Sequence, residues 1–220
     1  MNDVRILFED NDVIVVVKPA GIESQASADG NDMLSLLSAH TGAEVYPVHR
    51  LDRGTEGILV YAKTKAAAAS LSEAFASGQT DKTYLAVLCG VPSERCCELE
   101  DLLYHDRIKN KSYTVKRKRA GVKRASLSYS VENVKNDRAL VRVKLHTGRT
   151  HQIRVQFASR KLPLLGDTRY GGDVCAEIPK GCFALASVSL SFPHPSTGER
   201  ESFAFCPSGG IWDEFLSDKQ

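Results

Sequence analysis

His49-Arg50-Leu51-Asp52-Arg53 places four ionisable side chains in five positions, just ahead of the apolar run Gly57 to Ala62. A carboxylate set among cations at the mouth of a strand is a poor core element and a good site. Guanidinium neighbours favour the charged form of a carboxylate that burial would otherwise neutralise. A charged but partly desolvated carboxylate can act as a nucleophile or a base. The bland alternative for Asp52 is a surface salt bridge with Arg50 or Arg53, worth at most about 1 kcal/mol. Residue types at this spacing do not by themselves choose between the two.

The elements around this stretch are readable. Gly57 to Ala62 is an uninterrupted apolar, β-rich run and predicts a buried strand, with Gly54 and Gly57 giving the backbone room to turn before it. Upstream, Ile6 to Glu9 and Val13 to Lys18 predict two strands split by Asp10-Asn11-Asp12, the second closed by Pro19 and Gly21. Residues 22–30 read as a loop, after which Asp32 caps a short helix, Met33 to Ala39. Thr64 caps a helix running to about Ser77, stopped by Gly78. Lys82 to Cys89 alternates as a strand buried on both faces, which makes Tyr84 a core residue on general grounds.

Further on, Ala125 to Val134 and Ala139 to His146 predict strands joined by an Asn136-Asp137 turn. They deliver the chain to Thr147 to Arg154, where Thr150 is expected to cap a helix of about ten residues. Arg149, His151 and Arg154 gather there; Arg154, in the first turn, suits a carboxylate partner, and Arg149 and His151 either bind phosphate or order the loop. Phe183 to Phe192 and Glu201 to Phe205 read as a closing hairpin across the turn at His194 to Gly198, with Trp212 and Phe215 packing as core.

Charge is concentrated rather than general. The net charge is only +2, yet Arg107 to Arg124 carries nine Lys and Arg residues, Lys116, Arg117 and Lys118 among them, and no acid. Such a patch attracts phosphates whatever their sequence; the alternative is a solvated basic hairpin. With 220 residues and 42% hydrophobic content, one globular domain with its own core is expected over 1–220. No stretch approaches the roughly 18 apolar residues of a membrane span, and the N-terminus, with Asp3, Glu9 and Asp10, lacks a signal-peptide pattern. A cytoplasmic protein is expected. The six cysteines, at 89, 96, 97, 175, 182 and 206, form no Cys-x-x-Cys pair, so reduced thiols are expected and no metal site.

Five stretches in order resemble the signature of the RluA-type RNA pseudouridine synthases. They are Val13 to Gly21 with its Lys-Pro-Ala-Gly, His49 to Lys63, Lys82 to Val87, Thr147 to Arg154, and Leu165-Gly166-Asp167 with Tyr170-Gly171. The resemblance implies an α+β fold: a mixed, largely antiparallel sheet with flanking helices around a basic RNA cleft. It also implies isomerisation of a uridine in rRNA or tRNA, with Asp52 as nucleophile, Tyr84 against the flipped base as proton acceptor or relay, and Arg154 paired with Asp52. Arg50 is the candidate filler for the space the uridine leaves, and Arg149, His151, Lys116, Arg117 and Lys118 are candidate RNA contacts. Lys18 either faces RNA or stands in solvent. No metal, nucleotide or redox cofactor is implied, the partner is RNA, and a monomer away from membranes is expected.

Two departures stand out. The first strand starts within about five residues of Met1, so the sequence predicts none of the small N-terminal RNA-binding domain that many relatives carry. Glu56 occupies a position where the family more often has Ser, so a contact near Asp52 is expected to differ. A non-catalytic RNA-binding or RNA-folding factor on the same scaffold would need the basic segment but not Asp52, and the joint presence of Asp52, Tyr84 and Arg154 weighs against it. A zinc- or nucleotide-dependent enzyme lacks the ligand spacing it would need.

Overall fold

The computed structural model describes residues 4–28 and 30–217; Asp3 and position 29 of the expected 22–30 loop lie outside them. In chain order the elements are β1 (Arg5–Glu9), β2 (Val13–Lys18), α1 (Met33–Thr41), β3 (Tyr46–Pro47), β4 (Glu56–Ala62), α2 (Lys65–Ala76), β5 (Asp81–Leu88), β6 (Cys96–Asp106), β7 (Lys111–Val115), β8 (Val122–Lys135), β9 (Arg138–Leu145), α3 (Gln152–Ala158), β10 (Leu185–Pro193), β11 (Arg200–Ala204) and α4 (Ile211–Leu216). Pairing is mixed and mostly antiparallel, as expected. The chain divides into two compact units, one running to Lys82 and including Ala186–Pro207, the other comprising Thr83–Leu185 and the residues from Ser208 onward.

In the first unit the strand order is β1-β2-β4-β10, with β11 added on β10 and β3 on β4. β2 and β4 run antiparallel, Val13 opposite Ala62 and Lys18 opposite Gly57, whereas β4 and β10 are parallel. Val13, Val15, Ile58 and Val60 pack with Ala67 and Leu71 of α2 and with Leu190 and Phe192 of β10. Both helices start as the sequence predicts: Asp32 accepts from the Ser35 N–H and Thr64 from the Ala67 N–H. Gly57 is required by contact as well as conformation. Its φ is +114°, and a Cβ there would lie 2.2 Å from the Ser187 carbonyl oxygen, so a side chain would separate β4 from β10.

The second unit orders its strands β5-β9-β8-β6-β7. The hairpin β8–β9 turns through Asn136 and Asp137, both at positive φ, as their types favour. β6 and β7 are joined by the turn at 107–110 that opens the basic segment, and neither is assigned as a strand from the sequence. Along β6 only Leu99 and Leu103 are buried, four residues apart, so no two-residue apolar alternation advertises it. The expected ten-residue helix after Thr150 is shorter, spanning Gln152–Ala158. Thr150 does not cap it: His151 stands at the N-cap at φ 55°, with no side-chain bond to the helix. Trp212 and Phe215 are buried on α4, as expected. Among the described residues no helix is long and apolar enough to cross a membrane.

Candidate active site

Asp52 lies in the first unit, on the loop between β3 and β4, partly buried between buried Leu51 and exposed Arg53. The loop is pinned through its main chain. Ser24 Oγ donates to the Leu51 carbonyl at 2.8 Å and accepts from the Leu51 N–H at 3.1 Å, while Tyr61, on β4, holds the Ser24 carbonyl. On the far side of Asp52, the Arg53 carbonyl accepts from the Gly21 N–H at 2.8 Å, and Arg53 Nε returns a bond to the Gly21 carbonyl. The Asp52 carbonyl accepts from the Thr55 N–H, which closes the turn.

Lys18 completes the bracing and fits neither sequence expectation. It is fully buried, and its Nζ donates to the carbonyls of Pro19, Ile22 and Arg53 at 2.8, 2.7 and 3.1 Å. A buried ammonium is tolerable only where carbonyls replace its water, and here those carbonyls belong to the two loops that meet beside Asp52. Lys18 is an internal clamp. His49 is also structural. Its ring stacks on Phe75 with centroids 4.3 Å apart, and Nε2 accepts from the Val60 N–H at 3.1 Å. Loss of solvation, reinforced by the nearby Lys82 charge, pushes its pKa from 6.5 down to about 3, so the ring is neutral.

Tyr84 and Arg154 lie in the second unit. Tyr84 is buried on β5, as its core placement predicts. Arg154, only 6% exposed on α3, is held along one edge of its guanidinium by Asp167: Nε donates to Oδ2 at 2.7 Å and Nη2 to Oδ1 at 2.8 Å. Its plane is flanked by Phe183 and Tyr170, whose ring centroids lie 4.2 and 5.0 Å from Cζ. Thirteen residues separate Arg154 from Asp167, so no local pattern signals the pair. Asp167 closes a turn in which its carbonyl accepts from the Gly172 N–H; a Cβ on Gly172 would meet the Leu164 carbonyl oxygen at 2.0 Å.

Tyr170 ties this turn to the neighbouring strand. Its hydroxyl accepts from the Ser112 N–H of β7 at 2.8 Å and lies 3.0 Å from His151 Nδ1. Burial raises the Tyr170 pKa, against opposing contributions from Ser112 and Arg154, so the phenol stays protonated. His151 is buried and tied to this turn through the Tyr170 hydroxyl. Of the other candidate RNA contacts, Arg50 and Arg149 are exposed, Arg149 with Nε on the Arg124 carbonyl, and Lys116, Arg117 and Lys118 stand exposed on the loop between β7 and β8.

Among the described residues, one group of side chains outside these sites has metal-ligand types. Asp10, Asp12 and His194 bring ligand atoms within 4.8 Å of one another. Their atoms are used in a turn: Asp10 Oδ1 accepts from the Asp12 and Val13 N–H groups, Oδ2 meets His194 Nε2, and Ser196 Oγ donates to Asp12. Burial alone would raise the Asp10 pKa, but the Val13 and Asp12 amides outweigh it and the value is lowered.

The family model for RNA pseudouridylate synthase matches residues 12–159. An uncharacterized RNA pseudouridine synthase of Aquifex aeolicus is 33% identical over 89% of this chain and 67% of its own length. The ribosomal large subunit pseudouridine synthase D of Vibrio cholerae is 34% identical over 90% of this chain and 66% of its own length, so the chain spans about two thirds of these relatives. Human RNA pseudouridylate synthase domain containing 1 shares the fold, with a TM-score of 0.76 and 24% identity over 94% of this chain and 84% of that one. The matched region contains the pinned Asp52 loop, β5 with Tyr84 and α3 with Arg154, and the chain belongs to the RNA pseudouridylate synthase family of isomerases.

Proposed function

We propose that this chain converts a uridine of large-subunit ribosomal RNA to pseudouridine, with Asp52 as the nucleophile. The observation that carries the reading is the bracing of the Asp52 loop. Buried Lys18 and Ser24 are used to fix peptide groups on both sides of one carboxylate, which a surface salt bridge does not need. Ribosomal RNA is preferred to tRNA because relatives that match most of the chain carry the name of a large-subunit synthase. The reaction belongs where that RNA is made, in the cytoplasm.

The target uridine must leave its stack, which costs a few kcal/mol. Exposed cations at Lys116, Arg117 and Lys118 offset part of this by taking phosphates, and Arg50 fills the vacated space. The Asp52 carboxylate attacks the nucleotide, forming an adduct or eliminating the base, and the bond between N1 and C1′ breaks. The uracil turns, a bond forms between C5 and C1′, and any bond formed to Asp52 breaks and returns its free carboxylate. A proton leaves C5 and N1 gains one, so atoms and electrons balance as an isomerisation. Tyr84 is the group assigned to that proton, and Arg154 is assigned to the charge on Asp52.

The test is to incubate wild type and Asp52→Asn with deproteinised large-subunit ribosomal RNA, and separately with bulk tRNA, both from cells deleted for the gene. Carbodiimide-stop sequencing then maps pseudouridine. A new site in ribosomal RNA with wild type alone is the expected result, with binding by the Asn variant within several-fold of wild type. Normal turnover by Asp52→Asn would sink the nucleophile assignment, and a site in tRNA alone would redirect the substrate.

A further inference from the structure

The turn between β6 and β7 carries an apolar side chain with nothing to pack on. Ile108 is 99% exposed at its tip, with exposed Arg107 and Lys109 on either side. Single exposed apolar residues are ordinary on a protein surface. This one differs in how rigidly it is presented. Asp106 Oδ1 accepts from the Ile108 and Lys109 N–H groups, both at 3.0 Å, and Asn110 closes the turn at φ 44°. From the other side, Arg169 Nη1 donates to the carbonyls of Lys109 and Asn110, and Lys111 Nζ donates to the Arg169 carbonyl at 2.7 Å.

These bonds also fix where the tip stands relative to the buried arginine. Arg169 and Tyr170 belong to the turn that begins at Asp167, and Asp167 holds Arg154. Tyr170 meets Ser112, directly after Lys111, through its hydroxyl. The tip and Arg154 are thus set at a defined separation within one unit.

We propose that Ile108 is an apolar wedge that enters the base stack of the substrate RNA beside an unpaired nucleotide, while Arg107 and Lys109 take the flanking phosphates. The proposal rests on the RNA-modifying reading above. Its chemistry follows from the flanking charge: an aliphatic side chain between two cations matches a base step bordered by phosphates, and inserted Ile or Leu side chains work by partly unstacking such steps. Because the tip is registered to Arg154, the wedge selects uridines at a set distance from a loop or bulge.

Binding of deproteinised large-subunit ribosomal RNA is measured for wild type, Ile108→Ser and Ile108→Phe across a salt series, with a fully paired RNA duplex as control. Ile108→Ser is expected to weaken ribosomal RNA binding roughly tenfold with an unchanged salt slope, and to leave duplex binding within about twofold. Ile108→Phe, which can stack, is expected to stay within about threefold of wild type. Arg107→Gln with Lys109→Gln should instead lower the salt slope by about two. In turnover assays Ile108→Ser should raise KM and leave kcat unchanged. Equal binding by wild type and Ile108→Ser overturns the wedge even if both make pseudouridine. Ile108-dependent binding by a protein that makes none supports the wedge and defeats the enzymatic reading instead. Self-association in sedimentation that Ile108→Ser abolishes, with RNA binding intact, would assign the tip to a second copy and overturn the proposal.

Discussion

Each of the two units holds one of the side chains proposed for the reaction, Asp52 in the first and Arg154 in the second, and they do so by different means. Around Asp52 the bracing closes on peptide groups: Ser24 on Leu51, Lys18 and Gly21 on Arg53, and Thr55 on Asp52 itself. Around Arg154 it closes on the guanidinium, through Asp167 in its plane and two aromatic rings on its flanks. The difference suits the roles proposed for them. A nucleophile must approach and leave a carbon atom, so its loop is fixed and its carboxylate is reached through the backbone. A charge-neutralising arginine does best when its plane does not move.

If that contrast is right, the largest loss comes from the side that fixes a charge directly. Asp167→Ala strands a buried guanidinium between Tyr170 and Phe183 and should cost roughly 3–5 kcal/mol in urea unfolding. Asp167→Asn, which keeps one acceptor, should recover part of it. A loss below about 1 kcal/mol for Asp167→Ala would break the contrast, since Arg154 would then be held by something else. Lys18→Met tests the other side. It leaves three carbonyls without their ammonium but removes a buried charge as well, so a net loss of about 2–3 kcal/mol is expected. Amide exchange at Gly21 and Thr55 should quicken with it, and unchanged exchange would show that Lys18 does not brace the Asp52 loop. Ser24→Ala removes both bonds to Leu51 at a cost of about 1–2 kcal/mol, and should lower kcat more than RNA affinity.

What the sequence made legible divides along the same line. Asp52, the strand behind it and the helices capped by Asp32 and Thr64 announce themselves because each depends on neighbours in the chain. The family motifs supply Tyr84 and Arg154. Bracing is another matter. The three carbonyls that converge on Lys18 come from positions 19, 22 and 53, and a strand-end lysine next to a proline looks alike whether it faces solvent or the interior. Arg154 and Asp167 are joined across a helix and a loop. His151, bonded to Tyr170, takes at positive φ the N-cap position that residue type assigns to Thr150, and that bond is not visible in the local sequence. Strand β6 hides because Leu99 and Leu103, its buried residues, stand four apart, and the exposure of Ile108 is a tertiary fact with no sequence signal.

The last effect concerns pH, and the groups that carry it, His49 and Glu9, belong to the first unit. His49 is held neutral at the entrance to the Asp52 loop, accepting the Val60 N–H, with a pKa of about 3 against an ordinary 6.5. Between those values the unfolded chain binds a proton that the folded chain refuses. Stability must therefore rise with pH across this range, be complete above 6.5, and fall as the solution is acidified. The slope from one such group is at most about 1.4 kcal/mol per pH unit. Glu9, lowered by its bonds to Lys63 and His40, shifts stability in the same direction, but only below its ordinary 4.5. Between pH 6.5 and 4.5, therefore, His49 contributes to the slope of urea unfolding and Glu9 does not. His49→Gln, whose amide oxygen can still accept from Val60, should flatten that slope while costing little at neutral pH. A slope that survives the substitution would place the titrating group elsewhere, and the neutral imidazole would lose its part in positioning the Asp52 loop.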